Sequence, residues 1–184
     1  MALRRGFKTE ANTTSRELRA ELGLDSAAPI CPFRLADHMD VELIKLSAFL
    51  VEHPDATAYL MGEGKSEFFA VTLCGLTPRR VIYNDVHSPA RTAADIAHEL
   101  AHMLLLHPAH RLTSETGGRH FDKELEDEAN WLGPAILVSE EAAISVARQG
   151  LSLNQAAIHY GVSEHLMRMR LSVTAAYSRV RRAA

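Results

Sequence analysis

Apolar positions along the chain change their period from one segment to the next, and each change marks a different kind of element. Between Ser66 and Tyr83 the apolar residues are aromatic and β-branched. Glu67–Leu73 and Arg80–Tyr83 read as strands joined by the turn Gly75–Arg79, which contains Gly and Pro. Tyr59–Met61 offers a third strand, and Val41–Leu50 fits a strand or a short helix equally well. From Pro89 onward the pattern is helical. Ser88-Pro89 supplies an N-cap and a proline at the first helical position, and Pro108 ends that helix after Leu106. Asp122–Val138 reads as the next helix, with Gly133-Pro134 expected to bend or interrupt it. Ser139 caps a helix ending at Gly150, and Ser152 with Gln155 forms a capping box for its successor. Gly161 ends that one, and Ser163 caps the last. Upstream, helices are expected from Thr14 or Ser15 to Gly23 and over Phe33–His38, behind a loose lead-in over residues 1–13.

A strand pair followed by helices predicts an α+β fold. The expected organisation is a main domain over residues 14–150 and a helical C-terminal subdomain over 151–184 packed on it. At 184 residues the chain can bury a core without disulfides or a structural metal. A net charge of −3 argues against wholesale nucleic-acid or membrane binding. Arg4, Arg5 and Lys8 are not followed by an apolar stretch, so no signal peptide is expected. No apolar run approaches the roughly 20 residues of a membrane span. The expected compartment is therefore the cytoplasm. Cys31 and Cys74 lack metal or redox spacing and read as reduced, small hydrophobes.

The segment that carries chemistry is His98-Glu99-Leu100-Ala101-His102. Two histidines four apart lie on one helix face, about 40° apart and one turn up, so both imidazoles can reach one zinc ion. Glu99, beside the first histidine, can reach a water on the metal without binding the ion itself. The surrounding helix is apolar on every side: Ala93, Ala94, Ile96, Ala97, Leu100, Ala101 and Met103–Leu106. Ionisable side chains in such a helix are costly unless paired or metal-bound. Zinc needs a third protein ligand, and the acidic helix downstream offers Glu124, Glu126, Asp127 and Glu128. Leu125, Ala129 and Leu132 mark its buried side, which makes Glu124 and Asp127 solvated and leaves Glu126 and Glu128 both open.

The stretch Ile96–Leu105, followed by Glu126-Asp127-Glu128-Ala129-Asn130 and the apolar Trp131–Val138, resembles the ImmA/IrrE family of zinc metallopeptidases. The resemblance covers residues 14–171. It implies a zincin-like domain in which a small antiparallel sheet packs on the metal-binding helix. It implies His98, His102 and Glu126 as metal ligands, Glu99 as the catalytic carboxylate, and Asn130 supporting the site from behind the ligands. The cofactor it implies is zinc, with manganese as the alternative. It also implies a protein substrate, characteristically a helix-turn-helix transcriptional repressor cut to relieve repression, as in stress responses. Pairing Glu126 with Asn130 four positions on leaves Glu128 outside the site, where truncation is expected to change metal binding little.

Beyond Glu164 there is no acid, and Arg168, Arg170, Arg179, Arg181 and Arg182 follow. The run Ser152–Glu164 has a helix, a glycine turn and a serine N-cap, the shape of a helix-turn-helix. The alternative function is thus a DNA-binding or partner-binding regulator whose metal site is structural. Leu166, Met167, Met169 and Leu171 are too apolar for a reading face, so direct DNA binding is disfavoured. Exposure of Arg168 and Arg170 on one face would favour it. For a second oxyanion donor the sequence offers only His120 and Tyr160. His107 and His110 read as loop residues.

Overall fold

Capping residues divide the C-terminal half into helices as the sequence predicts, because each cap satisfies backbone N–H groups that a helix start leaves unpaired. The computed structural model describes residues 3–73, 75, 77–108 and 122–183. Its first half comprises α1 (Phe7–Glu21), α2 (Pro32–His38), β1 (Val41–Lys45), α3 (Pro54–Met61), β2 (Ala70–Leu73) and β3 (Arg79–Tyr83). The second half is helical: α4 (Pro89–Leu104), α5 (Lys123–Leu137), α6 (Glu140–Gln149), α7 (Leu153–Tyr160), α8 (Glu164–Val173) and α9 (Ala176–Ala183). Ser88, Asp122, Ser139, Ser152 and Ser163 each accept a hydrogen bond from the first turn of the helix they precede. The capping box of Ser152 and Gln155 is complete.

The α+β class is as expected. The predicted hairpin pair is antiparallel, with Thr72 opposite Val81. The sheet as a whole is mixed, however, because β1 adds to the far side of β3 in parallel, giving the order β1-β3-β2. Val41–Leu50 resolves its ambiguity by being both: a strand to Lys45, then a 3-10 turn over Leu46–Phe49. Tyr59–Met61 is the end of α3 and not a strand, since Pro54 starts a helix there. The loose lead-in over residues 1–13 is also corrected, for α1 begins at Phe7, whose ring is fully buried. Cys31 is a free thiol and is exposed, and Cys74 lies outside the described residues.

One core lies between α1, α2, the sheet, α4 and α5, around Phe7, Leu35, Val81, Ile96, Leu100 and Leu132. A second joins Ala97 of α4 and Leu137 of α5 to α6, α7 and α8, around Val146, Met167 and Leu171. The C-terminal helices therefore share apolar contacts with the helix that carries His98 and His102. No helix among the described residues is long and apolar enough to cross a membrane.

Gly133-Pro134 does not interrupt α5, which continues to Leu137. A proline deprives the carbonyl four residues back of its donor. That carbonyl belongs to Asn130, an exposed residue, where water can replace the lost partner. The glycine has a separate role. A Cβ on Gly133 would lie 3.2 Å from Ala97 O, His98 Cα and His98 N, so α5 meets the backbone of α4 at the first histidine of the motif.

The far end of α5 is held by buried cations. Arg19 donates to Ile136 O at 2.9 Å and Ala28 O at 2.9 Å, and Arg170 donates to Val138 O at 2.8 Å. Burial pulls each guanidinium down to about 10, which still leaves both charged at neutral pH. Positive charge at a helix C-terminus opposes the partial negative charge gathered there.

Gly133→Val should lower folding stability by about 1–3 kcal/mol, because the added methyl groups meet backbone that cannot rotate away. The thermal unfolding midpoint reads this directly. A midpoint equal to that of the wild type would mean that α4 and α5 are not held at this distance.

Candidate metal centre

Helix α4 is apolar enough to be buried on every side, and from Thr92 to Leu105 it has no exposed residue. His98 and His102 project from this helix toward α5. Their Nε2 atoms lie 3.1 Å apart. Glu126, in the first turn of α5, brings Oε2 to 3.3 Å from His98 Nε2 and Oε1 to 3.6 Å from His102 Nε2. Among the described residues this trio is the group of His, Cys, Asp or Glu able to hold a metal, with its ligand atoms all within 4.8 Å of one another.

The spacing fits a small tetrahedral ion. Bonds of about 2.0–2.1 Å put neighbouring ligand atoms about 3.3 Å apart around such an ion. Two imidazole nitrogens at 3.1 Å cannot both face each other with bare lone pairs, so a proton or a cation must lie between them. Hydrogen bonds from His102 and His98 hold the Glu126 carboxyl far below the usual carboxylate range. Its position in the first turn of α5 favours the same charged form. All three side chains keep some exposure, 25% for His98, 14% for His102 and 22% for Glu126, so the centre can be reached from solvent.

Glu99 points to the sheet. Its Oε2 accepts a hydrogen bond of 2.6 Å from Thr72 Oγ1 on β2. Ala70 is buried and Thr72 lies two residues on, which places both on one face of the strand. Sequence reasoning missed Thr72; the alternation Ala70, Thr72 in a strand next to the motif helix was the available signal.

Behind His102 stands a second group that the sequence did not announce. His107 follows the end of α4, and its Nδ1 lies 2.9 Å from His102 Nδ1. Its Nε2 is 3.4 Å from Glu128 Oε2, and Glu128 Oε1 is 2.7 Å from Arg4 Nε. Burial first, and the neighbouring His102 second, push the His107 imidazole below its ordinary value, toward the neutral ring. Glu128 is 8% exposed, while Asn130 is exposed and makes no hydrogen bond to the trio among the described residues. The structure thus places Glu128, and not Asn130, behind the trio.

Tyr160 donates to Ala27 O at 2.8 Å inside the second core, which removes it as an oxyanion donor. His110 and His120 lie outside the described residues. In the C-terminal helices Arg168 is exposed but Arg170 is buried on Val138 O, so the two do not share the exposed face that DNA reading requires.

No curated protein and no solved structure matches the chain. A family profile does match, over residues 40–172, which include β1, the sheet and the whole trio. The chain accordingly belongs to the metallopeptidase family described by the IrrE N-terminal-like domain.

Proposed function

We propose that the chain is a zinc-dependent endopeptidase acting at His98, His102 and Glu126, with Glu99 as its proton carrier. The observation that supports this most is the convergence of two imidazoles and a carboxylate at tetrahedral spacing beside a carboxylate held by a separate hydrogen bond. Two nitrogens and one oxygen suit zinc, whereas manganese, the alternative, prefers more oxygen ligands. A divalent ion held there supplies an acidified water and a Lewis acid for the scissile carbonyl.

The remaining work falls to the chain itself. Thr72 fixes Oε2 of Glu99, which leaves Oε1 as the oxygen to take a proton from the attacking water. The same carboxyl then delivers that proton to the leaving amine nitrogen. Glu126 keeps its charge and anchors the histidines from α5. The substrate we propose, on the strength of the family, is a helix-turn-helix repressor in the cytoplasm, cut once to lift repression.

Purified protein should carry close to one zinc per chain. His102→Ala or Glu126→Ala should lose it, by elemental analysis after dialysis. Retention of a full complement by either variant would remove that residue from the ligand set.

Glu99→Gln separates binding from turnover. It preserves size and ligands, so zinc should remain while peptide cleavage falls on the order of 10²-fold or more. The assay is incubation with a repressor encoded beside this gene, scored for a discrete cut. Undiminished cleavage by Glu99→Gln would assign the proton transfer to another group.

A further inference from the structure

A metal-binding imidazole uses one nitrogen for the ion and leaves the other to be fixed by a partner, which sets both tautomer and ring orientation. His102 directs Nε2 into the trio, and its Nδ1 meets His107 Nδ1 at 2.9 Å. For that contact to be a hydrogen bond, one Nδ1 must carry a proton and the other must accept it. If Nε2 of His102 is to bind a metal, its proton sits on Nδ1, so His107 Nδ1 is the acceptor. His107 Nε2 then bears hydrogen and faces Glu128 Oε2 at 3.4 Å. Glu128 is buried and has its other oxygen on Arg4 at 2.7 Å. Each link assigns the next, and the series ends on Arg4, a half-exposed cation that also pairs with Glu10 at 2.6 Å.

We propose that His107 and Glu128 are positioning residues of the metal centre, locking His102 into the tautomer that presents Nε2. This rests on the reading of the trio as a metal site. It also revises the expectation that Glu128 lies outside the site: truncation there should matter, though less than loss of Glu126.

Nothing in this arrangement requires His107 to touch the ion. Its side chain is 5% exposed and lies on the opposite side of the His102 ring from Glu126. A purely structural role would be to fill the space behind the ring, which an apolar side chain of similar size could also do. The hydrogen-bonding role demands an acceptor at the position of Nδ1. Asn supplies one in its side-chain oxygen, and Leu does not.

The test uses the full chain stripped of metal and titrated with Co²⁺ against a chromophoric chelator. The visible absorption of bound Co²⁺ reports ligand geometry alongside affinity. His107→Leu should weaken Co²⁺ binding about 10–100-fold and alter the spectrum. His107→Asn should restore most of the affinity and the wild-type spectrum. Glu128→Gln, which keeps an acceptor but loses the charge, should fall between them. Melting of each metal-free variant checks that it folds. Wild-type affinity and spectrum in His107→Leu would mark a space-filling role and overturn the proposal, as would equal losses in the Leu and Asn variants, which would show that an acceptor at the position of Nδ1 does not suffice. Absence of Co²⁺ binding by the wild type would remove the metal site itself and the relay with it. Those results are distinct, so failure of the relay is not confused with failure of the site.

Discussion

Side chains that could share one metal ion must agree in position to within about 0.2 Å, yet those of His98, His102 and Glu126 come from two separate helices. The crossing of α4 and α5 therefore has to be fixed in distance and in register. Distance is set at Gly133, where backbone meets backbone at the position of His98. Register is set at the ends. Asp122 caps the start of α5, and the buried Arg19 and Arg170 bind carbonyls at its finish. The contacts pair residue 133 with 97–98 and residue 128 with 107, so the two helices run antiparallel. Glu126 lies two turns before Gly133, on the same face of α5 as the point of closest approach. Charged groups far from the trio thus help to set where Glu126 sits, and α1 and α8, which donate those arginines, are part of its scaffold.

Burial of α4 gives the site its chemistry as well as its rigidity. The motif residues form a polar strip on a helix otherwise packed against α2, α5, β2 and β3. Each member of the strip has a partner from a different element: Thr72 from β2 for Glu99, Glu126 from α5 for both histidines, and His107 for the back of His102. That distribution keeps the two carboxylates from competing. Glu126 lies with the imidazoles, where its charged form is strongly favoured, while Glu99 is bound through a neutral hydroxyl. The two carboxylates are thus oriented by different neighbours, Glu126 by the histidines and Glu99 by the sheet.

Much of this was legible in the sequence. The caps at Ser88, Asp122, Ser139, Ser152 and Ser163 are local devices, and local devices can be read from residue order. The spacing of His98, Glu99 and His102 is likewise a property of one helix. The failures share a different cause. The parallel addition of β1 beside β3 depends on a crossover that no short pattern encodes. Gly133-Pro134 reads as a break because propensity counts only the helix itself, whereas here the glycine serves a neighbour and the carbonyl that the proline leaves unpaired belongs to an exposed residue. The resemblance sets Asn130 behind the trio, but the helix turns it outward. Thr72, His107 and Arg4 come from three other parts of the chain, and only folding brings them to the motif.

The pair Glu126 and Glu128 illustrates how a two-residue step can serve one site from both sides. Helical geometry turns them about 200° apart, which excludes a common ligand role. It does not exclude a common purpose, because His102 has two nitrogens facing opposite ways. Glu126 stands on the Nε2 side at 3.6 Å, and Glu128 reaches the Nδ1 side through His107. An acidic run that looks like a solvated face therefore splits by burial into separate tasks: Glu124 is exposed, Glu126 is half-buried at the trio, and Glu128 is buried behind it. His102 is the branch point between the two carboxylates. Truncating His102 would remove a member of the trio and the contact to His107 together, whereas Glu126 and His107 each meet one side of its ring only.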